Sequence, residues 1–401
     1  MTSSVRASQG SVPTEMVVDQ RLLPLADRFF SMYRNPQQGG GALVVYVRGE
    51  KVLDVWAGWA DRDRRWSRDT VALSFSTGKG VASTVVHRLA QRGVIDYDLP
   101  LARYWPEFAA HGKSEITVRQ LLTHRAGLHR VRGLLSGPFD MLDYDTVIEA
   151  LANARPDPRR LNGPGYHAVT YGWLVAELVA RATGKPFQDV VAEEIAGPLG
   201  IDEYWYRVPE GHRGRIAKLF PHINPGGLNW QFTSAILAHV APTRGLAEAA
   251  MPDGFDLLVR SPRVHDAVMP GWNGVFSADA VARMYGAIAN GGEIGGRRFL
   301  DPATIEESTR VQARGRDYVL AVRPNWSLGY HRPILASRVQ PQNAIGHYGV
   351  GGSGGFADLD TGMSLGFVTN RLGSSLTALG DLRLARLGAM AQTLAQNWNT
   401  L

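Results

Sequence analysis

With 401 residues, 44% hydrophobic and 20% charged, the chain is long enough for a large core and ordinary in composition for a globular protein. A net charge of +6 does not mark a nucleic-acid binder: 38 arginines and five lysines are interleaved with acids, as in Asp61-Arg62-Asp63-Arg64-Arg65, without a zinc-finger, basic-zipper or RNP-like pattern. The lack of cysteine removes disulfides and thiolate chemistry. With neither a membrane-length apolar run nor a basic-then-apolar leader in Met1 to Met16, the expectation is a soluble cytoplasmic protein without membrane partners.

Taken in order, residues 1–18 read as a loose leader. Gln20 to Tyr33 carries Leu22, Leu23, Leu25, Phe29 and Met32 at helical spacing, and two strands follow at 42–47 and 52–59, joined at Arg48-Gly49-Glu50. The next helix opens after Ser76 and is buried along most of its length, with Ser74 available as a cap and Gly93 as a stop. Further helical patterns cover 118–122, 146–152 and 169–182, the last closed by Gly184-Lys185-Pro186. From about 203 to 270 periodicity fails and Trp205, Tyr206, Trp230 and Phe232 are scattered among glycines and prolines, which suits either a lid or ordinary loops packed on the core. A helix is expected at 279–289, strands at 344–348, 355–359 and 363–369, and a closing helix carrying Leu384, Leu387, Met390 and Leu394. Strand pairs at both ends around a helical middle predict an α+β fold. One antiparallel sheet domain would form from 1–75 and 270–401, with a mainly helical domain, 76–269, inserted and a candidate lid at 203–269.

Ser76-Thr77-Gly78-Lys79 puts a hydroxyl and an amine on one face of the buried helix, one turn apart. A serine hydroxyl is a poor nucleophile until a base takes its proton, and an amine in a dry pocket is one such base. Taken singly, Ser76 could merely open a helix, Lys79 could be a solvated first-turn residue and Tyr166 a core aromatic. Two further segments complete a pattern with this S-x-x-K: Gly165-Tyr166-His167-Ala168 ahead of a helix, and Gly346-His347-Tyr348-Gly349-Val350 on a late strand. The three motifs in this order resemble those of the class C β-lactamase and penicillin-binding superfamily, above all its family VIII carboxylesterases. The resemblance extends over most of the chain and includes Gly93-Val94-Ile95-Asp96-Tyr97-Asp98 and Gln120-Leu121-Leu122-Thr123-His124-Arg125-Ala126-Gly127-Leu128.

That resemblance implies a β-lactamase-like fold and a serine hydrolase needing no metal or cofactor. Ser76 would be the nucleophile, Lys79 its charge partner or base, and Tyr166 the other general base and acid. Lys79 and Tyr166 titrate as a coupled unit, and the sequence does not say which holds the proton. His347-Tyr348-Gly349 stands in place of the Lys-Thr-Gly strand motif, and the N–H of Val350 just past Gly349 would join that of Ser76 in an oxyanion hole.

Departures from the pattern bear on substrate. Ala168 replaces the asparagine of Tyr-x-Asn, and His347 replaces the lysine that faces a β-lactam's carboxylate, so the expectation is a small-molecule ester with a small acyl group. A β-lactamase, a D-amino-acid peptidase and an acyltransferase are the alternatives, with an inactive scaffold least favoured because all three chief residues are present. Gly351-Gly352-Ser353-Gly354-Gly355 fits G-x-S-x-G, but no histidine follows His347, so a glycine loop is expected there rather than a hydrolase elbow. His124 and His129, with no H-E-x-x-H, are expected to be structural or surface residues rather than zinc ligands.

Overall fold

The computed structural model describes residues 15–35, 38–220, 244–250, 252, 254–372 and 382–398. In chain order its strands are β1 (Val17–Val18), β2 (Gly40–Val47), β3 (Glu50–Gly58), β4 (Ala72–Leu73), β5 (Tyr204–Trp205), β6 (Val275–Phe276), β7 (Glu293–Ile294), β8 (Arg297–Arg298), β9 (Ala344–Tyr348), β10 (Gly354–Asp358) and β11 (Met363–Thr369). Six of them form one antiparallel sheet in the order β1-β3-β2-β11-β10-β9. Its central seam joins the two ends of the chain, with Leu43 opposite Phe367 and Gly41 opposite Thr369.

The alternation of side chains along a strand explains why β2 is apolar throughout. Leu43, Val45 and Val47 face a layer made by α1 (Leu23–Phe30) and the C-terminal helix Leu382–Gln396, where Leu25, Phe29, Leu384 and Leu387 are buried with them. Ala42, Val44 and Tyr46 point the other way, into a larger core shared with the helix Ala278–Ala289 and the helical middle of the chain. That middle contains α2 (Thr77–Gln91), α3 (Val118–Leu122), α4 (Tyr144–Asn153) and α5 (Thr170–Thr183). One apolar cluster therefore runs from the sheet into the helices, and α2 lies inside it with Val81, Ala82, Val85, Val86 and Leu89 buried.

Several expectations change here. Val17 and Val18 pair with Asp54 and Leu53, so the leader is tied to the sheet from residue 17, while its residues 1–14 lie outside the described residues. Ser74 is not the cap of α2: its hydroxyl donates to the Ala72 carbonyl at 2.9 Å, and the N-cap position belongs to Ser76. The irregular stretch after 203 holds β5, which pairs through β6 with β4, and the helices Arg244–Ala250 and Phe255–Arg260. Trp205 and Tyr206 are buried core anchors, whereas Trp230 and Phe232 fall in 221–243, outside the described residues.

Candidate active site

Ser76 sits where β4 turns into α2. The preceding Phe75 has φ of +48°, a left-handed backbone that a residue with a Cβ adopts only under constraint. The constraint is visible: a Cβ on Gly349 would lie 2.4 Å from the Ser74 carbonyl oxygen, so the end of β9 packs against this turn at a distance that only glycine permits. Ser76 takes helical φ and ψ at the N-cap, and its hydroxyl makes no capping bond. The side chain that ordinarily satisfies a helix end is thus left for other chemistry, at the positive end of the helix dipole.

Lys79, one turn on, is completely buried. Its Nζ lies 3.0 Å from Ser76 Oγ and donates to the carbonyls of Ala168 at 2.6 Å and Gly271 at 2.5 Å. The second carbonyl reaches it because α5 and the 270–271 segment touch backbone to backbone; a Cβ on Gly172 would lie 1.8 Å from the Gly271 nitrogen. Burial pulls the amine well below the ordinary lysine range. The three oxygens around it would accept all three N–H groups of an ammonium; in the neutral form, which burial favours, two N–H groups go to the carbonyls and the lone pair faces the Ser76 hydroxyl.

Tyr166 supplies the other half. Burial raises its phenol above the ordinary value, and a hydrogen bond with Ser76 works in the opposite direction. Lys79 Nζ is 5.1 Å from the centre of the tyrosine ring. The segment around it is held bond by bond: Gly165 N–H donates to the His124 carbonyl at 3.0 Å, Tyr166 N–H to Asp317 Oδ1 at 3.1 Å and His167 N–H to His124 Nδ1 at 3.1 Å. The tyrosine ring stacks on Trp326 with centroids 5.4 Å apart and planes 7° apart, while the His124 ring packs against it at 4.9 Å with the planes 68° apart. The Ser76 hydroxyl therefore stands between a buried amine that favours its neutral form and a phenol that favours its protonated form. An amine and a phenol beside one oxygen are able to serve as base and acid.

The remaining candidates fall nearby. His347 is on β9, buried, with its ring stacked 6.2 Å from that of Tyr166 and edge-on to His331 at 5.0 Å; burial holds it well below its ordinary pKa. Val350 is 50% exposed, just beyond Gly349, and among the described residues neither its N–H nor that of Ser76 donates to an acceptor. Ser353 is different. It is 1% exposed, its hydroxyl accepts the Thr369 N–H at 3.1 Å, and its carbonyl accepts the Thr77 hydroxyl at 3.1 Å. It joins the glycine loop to β11 and to the start of α2.

His124 and His129 are both buried, which selects the structural branch of the expectation over the surface one. His124, Trp326 and Asp317 all bear on Tyr166, and the motif reading named none of them as site residues. The histidine stood in a noted segment; the other two carry no local signal, since Arg314-Gly315-Arg316-Asp317 reads as a solvated charge run.

Set against known proteins, residues 26–390 match the family model described as Beta-lactamase. The Esterase/beta-lactamase LipL of Mycobacterium tuberculosis is 42% identical over 366 residues, covering 89% of this chain and 83% of that protein. Esterase EstB of Burkholderia gladioli is 28% identical over 389 residues, covering 89% and 93%. Among solved structures, a family VIII carboxylesterase superposes with a TM-score of 0.83 at 33% identity, covering 96% of this chain and 99% of that one.

Proposed function

Because this chain belongs to the Beta-lactamase family, we propose that it is a serine hydrolase cleaving carboxylic esters of small acyl groups through an acyl-Ser76 intermediate. Lys79 Nζ takes the Ser76 proton as Oγ attacks the ester carbonyl carbon, and the carbonyl oxygen becomes an oxyanion facing the N–H groups of Ser76 and Val350. As the tetrahedral intermediate collapses, the Tyr166 phenol gives its proton to the departing alkoxide, which leaves as the alcohol. Proton transfer from the Lys79 ammonium to the phenolate restores both groups. Water then attacks the acyl-serine by the same relay, releasing the acid and the Ser76 hydroxyl.

The observation that carries this reading is the threefold contact of Lys79, two carbonyls and the Ser76 hydroxyl, in a fully buried setting. The ester preference rests on Ala168, whose carbonyl holds Lys79 while its methyl offers no amide to a β-lactam side chain, and on the esterase names of the relatives. A phosphonate ester of p-nitrophenol tests it: mass spectrometry of the digested protein should find the phosphonyl group on the Ser76 peptide. Label on Ser353, or none while ester turnover continues, contradicts it. A second reading, β-lactam hydrolysis, is favoured by the double name of the LipL relative. Nitrocefin hydrolysed as fast as p-nitrophenyl acetate would put it first.

A further inference from the structure

We propose that Asp317 is a positioning residue for this reaction, its buried carboxylate clasping the Tyr166 main chain with one oxygen and the Trp326 indole with the other. The inference rests on the reading of Ser76 and Tyr166 given above. Asp317 is completely buried, and among the described residues no cation pairs with it. Oδ1 accepts the N–H groups of Tyr166 at 3.1 Å, Val319 at 2.8 Å and Leu320 at 3.0 Å, and Oδ2 accepts the indole N–H of Trp326 at 3.0 Å. A carboxyl group set among four donors and no countercharge is an expensive feature to bury unless every lone pair is used.

What those bonds connect gives the residue its role. The indole it fixes is the ring on which Tyr166 stacks, and the main-chain N–H it fixes belongs to Tyr166 itself. Backbone and ring plane of the tyrosine are thereby set from one side chain. The loop is anchored a second time where the Tyr318 N–H donates to the Pro164 carbonyl at 3.0 Å, two residues before Tyr166. A phenol that must reach both Ser76 and a leaving group gains from such fixing, because a misplacement of about 1 Å costs on the order of 100-fold in rate. The carboxylate also adds to the rise in the phenol's pKa, behind the larger effect of burial.

The test follows from the division of labour between the two oxygens. In Asp317→Asn the amide oxygen can keep the three main-chain donors, but the NH₂ group then faces the indole N–H, donor against donor. Active sites are counted by phosphonate titration, so that misfolded protein does not enter the rate. Per titrated site, kcat for p-nitrophenyl acetate should fall about 10- to 100-fold with KM within about threefold. Trp326→Phe, which keeps a stacked ring and drops the N–H, should lower kcat less, and the double variant should lie no lower than Asp317→Asn alone.

A per-site kcat unchanged in Asp317→Asn would overturn the proposal. If that variant yields no folded protein, Trp326→Phe, which removes only the indole N–H from Oδ2, decides by the same per-site kcat, a fall with KM held supporting the clasp and no change refuting it. Absence of label on Ser76 in the wild type would overturn the site reading and the clasp together. Label on Ser76 with unaltered variant kinetics would overturn the clasp alone.

Discussion

Lys79 and Lys113 are the same side chain in comparable settings, Lys113 lying nearer the surface. Both are completely buried, and burial pulls both below the ordinary lysine range, Lys113 to about 8. Each Nζ has three oxygen contacts. For Lys113 these are the carbonyls of Ala110, Ala152 and Ala154 at 2.7, 2.8 and 2.7 Å, which tie the end of α4 to the turn before Lys113. For Lys79 one of the three is a hydroxyl. A carbonyl oxygen has no proton to give, so Lys113 can only hold the chain together; a serine hydroxyl has one, so Lys79 can make a nucleophile. Burial and a lowered pKa do not distinguish a structural amine from a reactive one. The chemistry of the third partner does.

Substitution at the two lysines should separate these roles. Lys79→Met should lower kcat for short esters by about 100- to 10,000-fold, the range of a positioned general base, with a stability loss of about 1–3 kcal/mol because the Ala168 and Gly271 carbonyls also lose their donor. Lys113→Met should cost stability without costing rate. Three carbonyls lose their donor, so denaturant unfolding should show a loss of about 2–4 kcal/mol, with kcat per titrated site within about twofold of wild type. Comparable rate losses at both positions would break the comparison.

A pH series sharpens it further. The folded-state pKa of Lys113 is depressed to about 8, whereas an unfolded lysine titrates near 10.4. Between those values the unfolded chain binds the additional proton, so wild-type stability should rise with pH across this window relative to Lys113→Met. Parallel stability curves for the two proteins would show that burial does not perturb this amine. The smallest effect expected is at the second serine. Ser353→Ala loses bonds to the Thr369 main chain and should cost about 1 kcal/mol of stability without changing the rate per site.

The sequence carries much of this architecture because the relevant signals are periodic or local. The two-residue alternation of Leu43 to Val47, the apolar pairs along α2 and the glycine at 184 with φ of +70° all survive into the structure within a few residues. Ser76 and Lys79 were legible because one helical turn brings them together, and Tyr166 because its segment belongs to a recognisable set of motifs. Asp317 and Trp326 were not. They reach the site across some 150 residues, and no spacing rule links an aspartate beside two arginines to a tyrosine so far back in the chain. The Ala168 and Gly271 carbonyls were hidden for a different reason: main-chain groups have no identity in sequence, and only backbone contact at Gly172 reveals that one of them faces an amine.

The claim on which the rest depends is that the buried amine of Lys79 removes the Ser76 proton. The rate of Ser76 phosphonylation measured against pH tests it without steady-state complications. The wild type should show a rate that rises with pH to a plateau well below the ordinary lysine range, and Lys79→Met should be slow with that limb gone. The same limb persisting in Lys79→Met, or a wild-type rate that begins to rise only above about pH 10, would contradict the account.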